Sequence, residues 1–322
     1  RRNPPQLPPA GQAPYEPPIA DAVHAPEIVV TALDDAPTAR GLVPSTVTGL
    51  PLTLWRASDP ETLVRLFHDV PVRHNPAMQS VLYTLLLAEG IPPKDEDSGD
   101  ILILAQIDRL MREGAVEPAE ALARQAGPTR SAELFARWFD ASLLIGSEDA
   151  ACAALSIHPH LAPDYAARIF CSARRGDWPA AVVMLDSARA LGDLPPEQAL
   201  LLERFLHADA DGLLPPPPVP STLDPLTFKL YQSIGEPMTT RSLPRAYAHA
   251  DLGDLSGWKA QLEAAERLAR TGALGANRFL GIYTEREPAA SGGVWDRVAA
   301  VQAFEAALNA GDADEIARTL SP

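Results

Sequence analysis

The feature that most constrains the fold is a regular punctuation of helix-starting and helix-ending residues from Ser58 onward. A capping residue, often followed by Pro, precedes about ten residues with a period of 3.6, and a Gly then ends the segment. Three such segments run from Asn75 to Gly90, from Asp177 to Gly192 and from Asp224 to Gly235. The whole pattern predicts an all-α fold of about 13 helices.

Composition supports helix over sheet. The apolar residues are mainly Ala and Leu, and only 6% of the chain is aromatic. Ala and Leu favour helices, whereas the β-branched and aromatic residues that favour strands are scarce. With 322 residues, of which 46% are hydrophobic, the chain is long enough to bury a core.

Glycines recur at a nearly constant interval. Gly114, Gly146 and Gly176 lie 32 and 30 residues apart, and Gly253 and Gly311 lie 58 apart, which is two such periods. The repeated unit is a helix, a glycine turn and a second helix. This unit resembles the tetratricopeptide-like family of α-solenoids over about residues 100–320, and the resemblance implies a superhelical stack of helical hairpins.

Proline-rich segments divide the chain. Residues 1–45 are rich in Pro without helical periodicity, which predicts an extended, disordered tether or a tail with no role. Residues 213–222 contain consecutive prolines that cannot be helical, which predicts a polyproline linker. The helical-repeat regions would then span 50–212 and 223–322.

The net charge of −15 restricts the partners. It argues against nucleic acid and anionic membranes, and it favours a protein or peptide partner with basic residues. No stretch of about 18 apolar residues is present, so no membrane span is predicted. The chain begins Arg1-Arg2-Asn3 without Met, which leaves open the removal of an export signal or anchor or a trimmed sequence.

Cys152, His158, His160 and Cys171 form the one cluster of soft metal ligands. Their spacing lacks the close cysteine pair of structural zinc modules, so no metal or cofactor site is predicted. The two cysteines flank a predicted hairpin turn symmetrically, so antiparallel helices would place them opposite each other. A disulfide and two buried thiols both remain open, and a disulfide would favour an exported protein.

The least ordinary local string is a Ser-Gly-Gly sequence that enters a helix. Amide groups at a helix start can hold an anion such as a phosphate, a carboxylate or a peptide terminus. A simpler interpretation is that Ser291 caps the helix. The candidate binding residues here are Ser291, Gly292, Gly293, Trp295 and Arg297.

His249 is a further candidate binding residue, although its Ala-rich helix makes a core or interface histidine the default interpretation. No catalytic signature is present in the sequence. Glu263 with Arg267, and Glu266 with Arg270, have the four-residue spacing of ion pairs on an exposed helix face.

These observations predict a non-enzymatic, periplasmic or otherwise exported scaffold that binds a protein or peptide in a bacterial envelope assembly, such as motor, secretion or wall-building machinery. An envelope enzyme or enzyme accessory acting on wall polymer is one alternative. A cytoplasmic tetratricopeptide-like adaptor is the other. A deep pocket with converging catalytic groups would favour the enzyme, whereas an open groove would favour binding.

Overall fold

The computed structural model describes residues 39–72, 75–94, 100–207, 218–220, 222–253 and 255–320. These residues confirm the all-α fold: they form helices and two isolated bridges, with no strand. The predicted tether falls outside the described residues up to position 38, and so does most of the predicted 213–222 linker. Residues from Ala39 onward form one compact unit.

The α-helices of the described residues have the following bounds, in chain order. They are α1 Ser45–Thr48, α2 Pro60–Asp69, α3 Pro76–Leu87, α4 Ile101–Glu113, α5 Val116–Gln125, α6 Ala132–Ile145, α7 Asp149–Ile157, α8 Tyr165–Arg174, α9 Trp178–Leu191, α10 Pro196–Leu206, α11 Pro225–Ser233, α12 Trp258–Ala269, α13 Ala276–Thr284, α14 Val294–Ala310 and α15 Ala313–Thr319. Short 3₁₀ helices lie between them, of which Arg245–Leu252 is the longest.

The predicted capping residues begin their helices. The side chains of Asn75, Asp177 and Asp224 each accept a hydrogen bond from a backbone amide in the first turn of α3, α9 and α11. In the structure, Asp312 caps α15 in the same way. Such bonds satisfy amides that have no partner within the helix. Local capping chemistry therefore located the starts of α3, α9 and α11 correctly.

One predicted helix end was wrong. Helix α3 stops at Leu87 rather than continuing to Gly90. The backbone of Gly90 instead exchanges two hydrogen bonds with Arg40, and the Val43 amide donates to Leu87. Pairing with this earlier segment satisfies backbone groups that one more helical turn would otherwise satisfy. The last residues of the predicted 1–45 segment therefore pack on the helical unit.

Helix α6 lies at the centre of the core. It packs on α4, α5, α7 and α11, and on the 3₁₀ helix Arg245–Leu252. The largest apolar cluster includes Phe135 and Phe139 of α6 and extends from Trp55 to Tyr231. Smaller clusters hold the helices after residue 245. Helix α11 packs on α10, so the regions before and after residues 213–222 are in contact.

The chain also folds back on itself. Residues from the C-terminal region reach the turn between α4 and α5: Arg245 and Thr271 bond to Glu113, and Arg278 pairs with Glu117. In a simple repeat stack each unit contacts only its neighbours. These contacts join positions more than 130 residues apart in sequence, which sequence periodicity does not reveal. The resemblance to tetratricopeptide-like repeats stays a prediction.

No helix among the described residues is both long enough and apolar enough to cross a bilayer.

Candidate functional site

Three neighbouring depressions meet at the C-terminal end of helix α12, where Arg270 lines all three. The first, the glycine-loop pocket, lies between α12, residues 239–241 and the loop 291–293, and has a volume of about 640 Å³. The second, the arginine pocket, measures about 670 Å³ and shares Arg267 and Arg270 with the first. The third, the apolar pocket, measures about 850 Å³ and shares Gln79 and Arg270 with the second. We call the three together the α12 groove.

The glycine-loop pocket contains most of the sequence-predicted binding string. Ser291, Gly292, Gly293, Trp295 and Arg297 all line it. His249 does not. Its buried imidazole lies against the α4–α5 turn, with Nε2 2.7 Å from the Gly114 carbonyl oxygen. Burial lowers the pKa of His249, which matches a neutral histidine at a packing contact.

The start of α14 differs from the predicted cap. Ser291 caps nothing: the helix begins after Gly293, which has φ 61° and ψ −120° and no side-chain cap. A side chain would strain that backbone conformation, so Gly is needed there. The Asp296 carboxylate accepts a hydrogen bond of 2.8 Å from the Gly292 amide. A carboxylate of the chain itself thus occupies the position that an external anion would take.

Arg297 and Trp295 are engaged by the protein. The guanidinium of Arg297 binds the Glu266 carboxylate through two hydrogen bonds of 2.6 and 2.9 Å. The Trp295 ring packs on Trp258 at 5.3 Å between ring centres. Burial alone would raise the pKa of Glu266, but hydrogen bonds from Arg297 and Tyr283 outweigh it and hold that pKa below its usual value. These contacts attach α14 to α12.

The predicted ion pairs on α12 are half correct. Arg270 lies 3.2 Å from Glu266, as predicted. Arg267 does not pair with Glu263, because it donates instead to the carbonyl oxygens of Thr240, at 2.6 Å, and Leu243. Packing of α12 on residues 240–243 places these carbonyls nearer than the carboxylate.

The other carboxylates in the glycine-loop pocket also have protein partners. Glu263 pairs with Arg241 and Lys259, and Asp251 accepts a hydrogen bond from the Thr240 hydroxyl. Burial raises the pKa of Asp251. Chemically, this pocket is a polar surface lined by five cationic side chains and three carboxylates.

The arginine pocket has a different chemistry. Four guanidinium groups line it together with Gln79 and Thr271, and none of its lining residues is acidic. These arginines are Arg112, Arg245, Arg267 and Arg270. Sequence analysis missed this pocket, because the four residues come from the end of α4, the 3₁₀ helix and α12, which only the fold-back brings together.

The apolar pocket extends the groove beyond Arg270. Its walls include Val43, Pro76, Leu87 and Ala273, and Tyr83 is its one aromatic residue. Most of its exposed lining is apolar, unlike that of the glycine-loop pocket.

Cys152 and Cys171 are joined by a disulfide, with their Cα atoms 4.8 Å apart on α7 and α8. Both residues are buried. Their sulfur atoms are therefore bonded to each other rather than free to bind a metal. The rings of His158 and His160 lie 6.0 Å apart at the turn beyond the bridge. Within the described residues, no group of three or more His, Cys, Asp or Glu side chains is arranged to hold a metal ion.

A carboxylate on α6 has a strongly perturbed pKa. Burial, and secondarily the nearby Asp224, raise the pKa of Asp140 to about 7. Perturbed carboxylates occur at active sites, but Asp140 lines none of the pockets of the α12 groove. Of its three acidic neighbours, Asp164 and Asp224 are helix caps of α8 and α11, and Asp108 lies on α4.

No protein-family model, no curated protein and no solved structure matches this chain.

Proposed function

We propose that this protein is a non-enzymatic, exported helical scaffold that binds a segment of a protein partner in the α12 groove. The observation that carries the proposal is the groove itself. Three open depressions share lining residues around the C-terminal end of α12, and they include one mainly polar pocket and one mainly apolar pocket. A surface of this kind suits an extended segment better than a single small molecule.

The state of the polar groups favours binding over catalysis. Catalysis needs an acid, base or nucleophile that can reach substrate. In the glycine-loop pocket Glu263, Glu266 and Asp251 all have partners within the protein. Their role is to hold α12 to its neighbours, which leaves the groove as a preformed surface.

Export is supported by the bridge between Cys152 and Cys171. Disulfides persist in oxidising compartments and are rare in the cytosol. A periplasmic location and a role in an envelope assembly are therefore part of the proposal, and a cytoplasmic adaptor is the alternative that free thiols in the purified native protein would favour.

Site-specific photo-crosslinking in the native host tests the proposal. A benzophenone amino acid replaces Lys259, in the glycine-loop pocket, or Ser80, in the apolar pocket, and both positions are exposed. The matched control is Asp186, exposed on α9 and outside the groove. We expect the same discrete protein adduct from Lys259 and Ser80 and none from Asp186.

Two results would overturn the proposal. One is the absence of an adduct from both groove positions. The other is the same adduct yield from Asp186 as from Lys259, since binding would then not depend on the groove. A measurable hydrolase activity on wall polymer that is lost when groove residues are changed would favour the enzyme instead.

A further inference from the structure

We infer that the arginine pocket and the adjoining apolar pocket together bind an acidic peptide segment that also carries apolar side chains. The inference rests on the proposed function and specifies the chemistry of the partner. It differs from the basic partner predicted from net charge, because the local charge of this surface is opposite to that of the whole chain.

The first observation is the local excess of positive charge. Glu113 pairs with both Arg109 and Arg245, and Glu266 pairs with both Arg270 and Arg297. Each glutamate is thus shared between two arginines, so one positive charge of each trio is not balanced. The carboxylates of the protein therefore neutralise only part of the positive charge of these arginines.

Two further arginines have no carboxylate in direct contact. Within the described residues, no carboxylate oxygen lies within 4.0 Å of the guanidinium of Arg112 or Arg267. Arg112 donates to the carbonyl oxygen of Phe67, and Arg267 donates to those of Thr240 and Leu243. Carbonyl groups orient a guanidinium without cancelling its charge. Burial, together with repulsion from Arg245, lowers the pKa of Arg267 against the opposing attraction of Asp251.

The second observation is the number of donors that remain. A guanidinium has five N–H groups, and the contacts of Arg112 and Arg270 each use one nitrogen. Both side chains are exposed, so their remaining donors face the open pocket. Arginine forks bind carboxylates through paired hydrogen bonds. Two guanidinium groups with free donors in one pocket match two carboxylates better than one small anion.

The third observation selects a peptide over nucleic acid. The adjoining apolar pocket offers aliphatic side chains and only one aromatic ring, Tyr83, whereas single-stranded nucleic acid binds on several stacked aromatics. The chain as a whole carries a net charge of −15, which repels a long polyanion. A short segment with a few carboxylates and aliphatic side chains satisfies both pockets.

Selection of peptides from a random displayed dodecapeptide library on the immobilised full chain tests the inference. Peptides enriched on the wild type are then measured individually by fluorescence anisotropy against Arg112→Gln/Arg270→Gln. The matched control is Arg175→Gln/Arg318→Gln, which removes the same charge from exposed arginines outside the groove. Thermal unfolding of both variants verifies that each is folded.

We expect enriched peptides to combine Asp or Glu with Leu, Ile or Val. Their Kd should weaken by about tenfold or more on Arg112→Gln/Arg270→Gln and by less than about twofold on the control, since two charge-assisted contacts are lost. Replacement of the peptide carboxylates by amides should weaken wild-type binding similarly, and added salt should weaken it progressively.

Other outcomes distinguish the inference of an acidic peptide from the proposed function of peptide binding. Enriched peptides that are basic or neutral, or that bind the groove variant as well as the wild type, overturn this inference but leave peptide binding intact. Enrichment of no peptide overturns the proposed function with it. Tighter binding of a single-stranded oligonucleotide than of any enriched peptide, with loss on the same groove variant, assigns the pocket to nucleic acid and overturns the inference.

Discussion

Helices α6 and α14 have similar lengths but very different surroundings. Helix α6 has 14 residues, of which eight are buried, whereas α14 has 17 residues, of which three are buried. Helix α6 packs on α4, α5, α7 and α11, while α14 packs on α12, α13 and α15. One region is therefore dominated by apolar packing, and the other combines a smaller apolar cluster with ion pairs.

The two regions contribute differently: the region around α6 to stability, and the region around α12 and α14 to the binding surface. Burial of apolar area is the main stabilising term of a fold, so the region around α6 should carry most of the free energy of unfolding. The region around α12 and α14 instead keeps charged side chains at its surface, where they form the α12 groove. Substitutions in the two regions should therefore lower the free energy of unfolding by different amounts.

The largest effect is expected from Phe135→Ala in α6. The Phe135 side chain is fully buried, so its removal should leave a cavity and lower the free energy of unfolding by about 3–5 kcal/mol. Val298→Ala in α14 removes fewer buried atoms and should lower the free energy of unfolding by clearly less. Urea unfolding of both variants measures the difference, and equal losses would contradict the comparison.

Gly114→Ala should weaken the junction between the two regions. Gly114 has φ +86°, and an added Cβ would lie 2.8 Å from Arg245 Cγ and 2.9 Å from Leu268 Cδ2. Left-handed strain and this overlap together should cost about 2–4 kcal/mol. Hydrogen exchange should show lost protection in α12 before α6.

Gly146→Ala is the matched control for that junction. Gly146 also has a positive φ, of +73°, but an added Cβ would meet nothing within 4 Å. It should therefore cost only the backbone strain of about 1–2 kcal/mol. If the two substitutions prove equally destabilising, the contact with Arg245 and Leu268 contributes nothing.

Removing the disulfide should affect the α6 side of the molecule alone. Cys152 and Cys171 are 19 residues apart, and a crosslink over a loop of this size typically stabilises by about 2–3 kcal/mol. Cys152→Ala/Cys171→Ala should lower the unfolding midpoint accordingly, while protection of α12 from hydrogen exchange stays unchanged. Alkylation of the native protein without reductant should modify neither cysteine, and rapid labelling of both would refute the bridge.

The smallest effect is expected from Asp140→Asn, and it should depend on pH. The pKa of Asp140 is raised to about 7 in the folded protein from an ordinary value of 3.8. The folded state therefore binds the proton more tightly, so stability should fall as pH rises from about 4 to about 7. Asp140→Asn should remove this loss and gain about 1–2 kcal/mol at pH 8, after allowance for partial exposure.

Asp186→Asn on the exposed face of α9 is the control for the pH series. It should leave the wild-type dependence on pH unchanged. A profile for Asp140→Asn that runs parallel to the wild type from pH 4 to pH 8 would show that Asp140 does not titrate in this range.

The all-α class and many helix starts could be predicted from sequence, because capping depends on residues within one turn of each other. Asp177 and Asp224 cap α9 and α11 through amides three residues away. The same local logic failed at α14. There the cap is decided by the conformation of Gly293 and by Asp296, which reaches back to the Gly292 amide.

The candidate site was predicted only at one end. The string from Ser291 to Arg297 does line a pocket, but Arg297 is bound to Glu266, 31 positions earlier. Likewise Arg267 prefers the carbonyls of residues 240 and 243 to the carboxylate on its own helix. Spacing along one helix shows which partners are within reach, but not which neighbouring element competes for them.

Local sequence therefore determined the helices, many of their starts and the glycine turns between them, since those depend on short-range hydrogen bonds and backbone conformation. Tertiary structure alone decided that Arg112 of α4 meets Arg245, Arg267 and Arg270 from the far end of the chain. The physical reason is that the fold-back onto Gly114 depends on packing between surfaces more than 130 residues apart, and no local pattern encodes that contact.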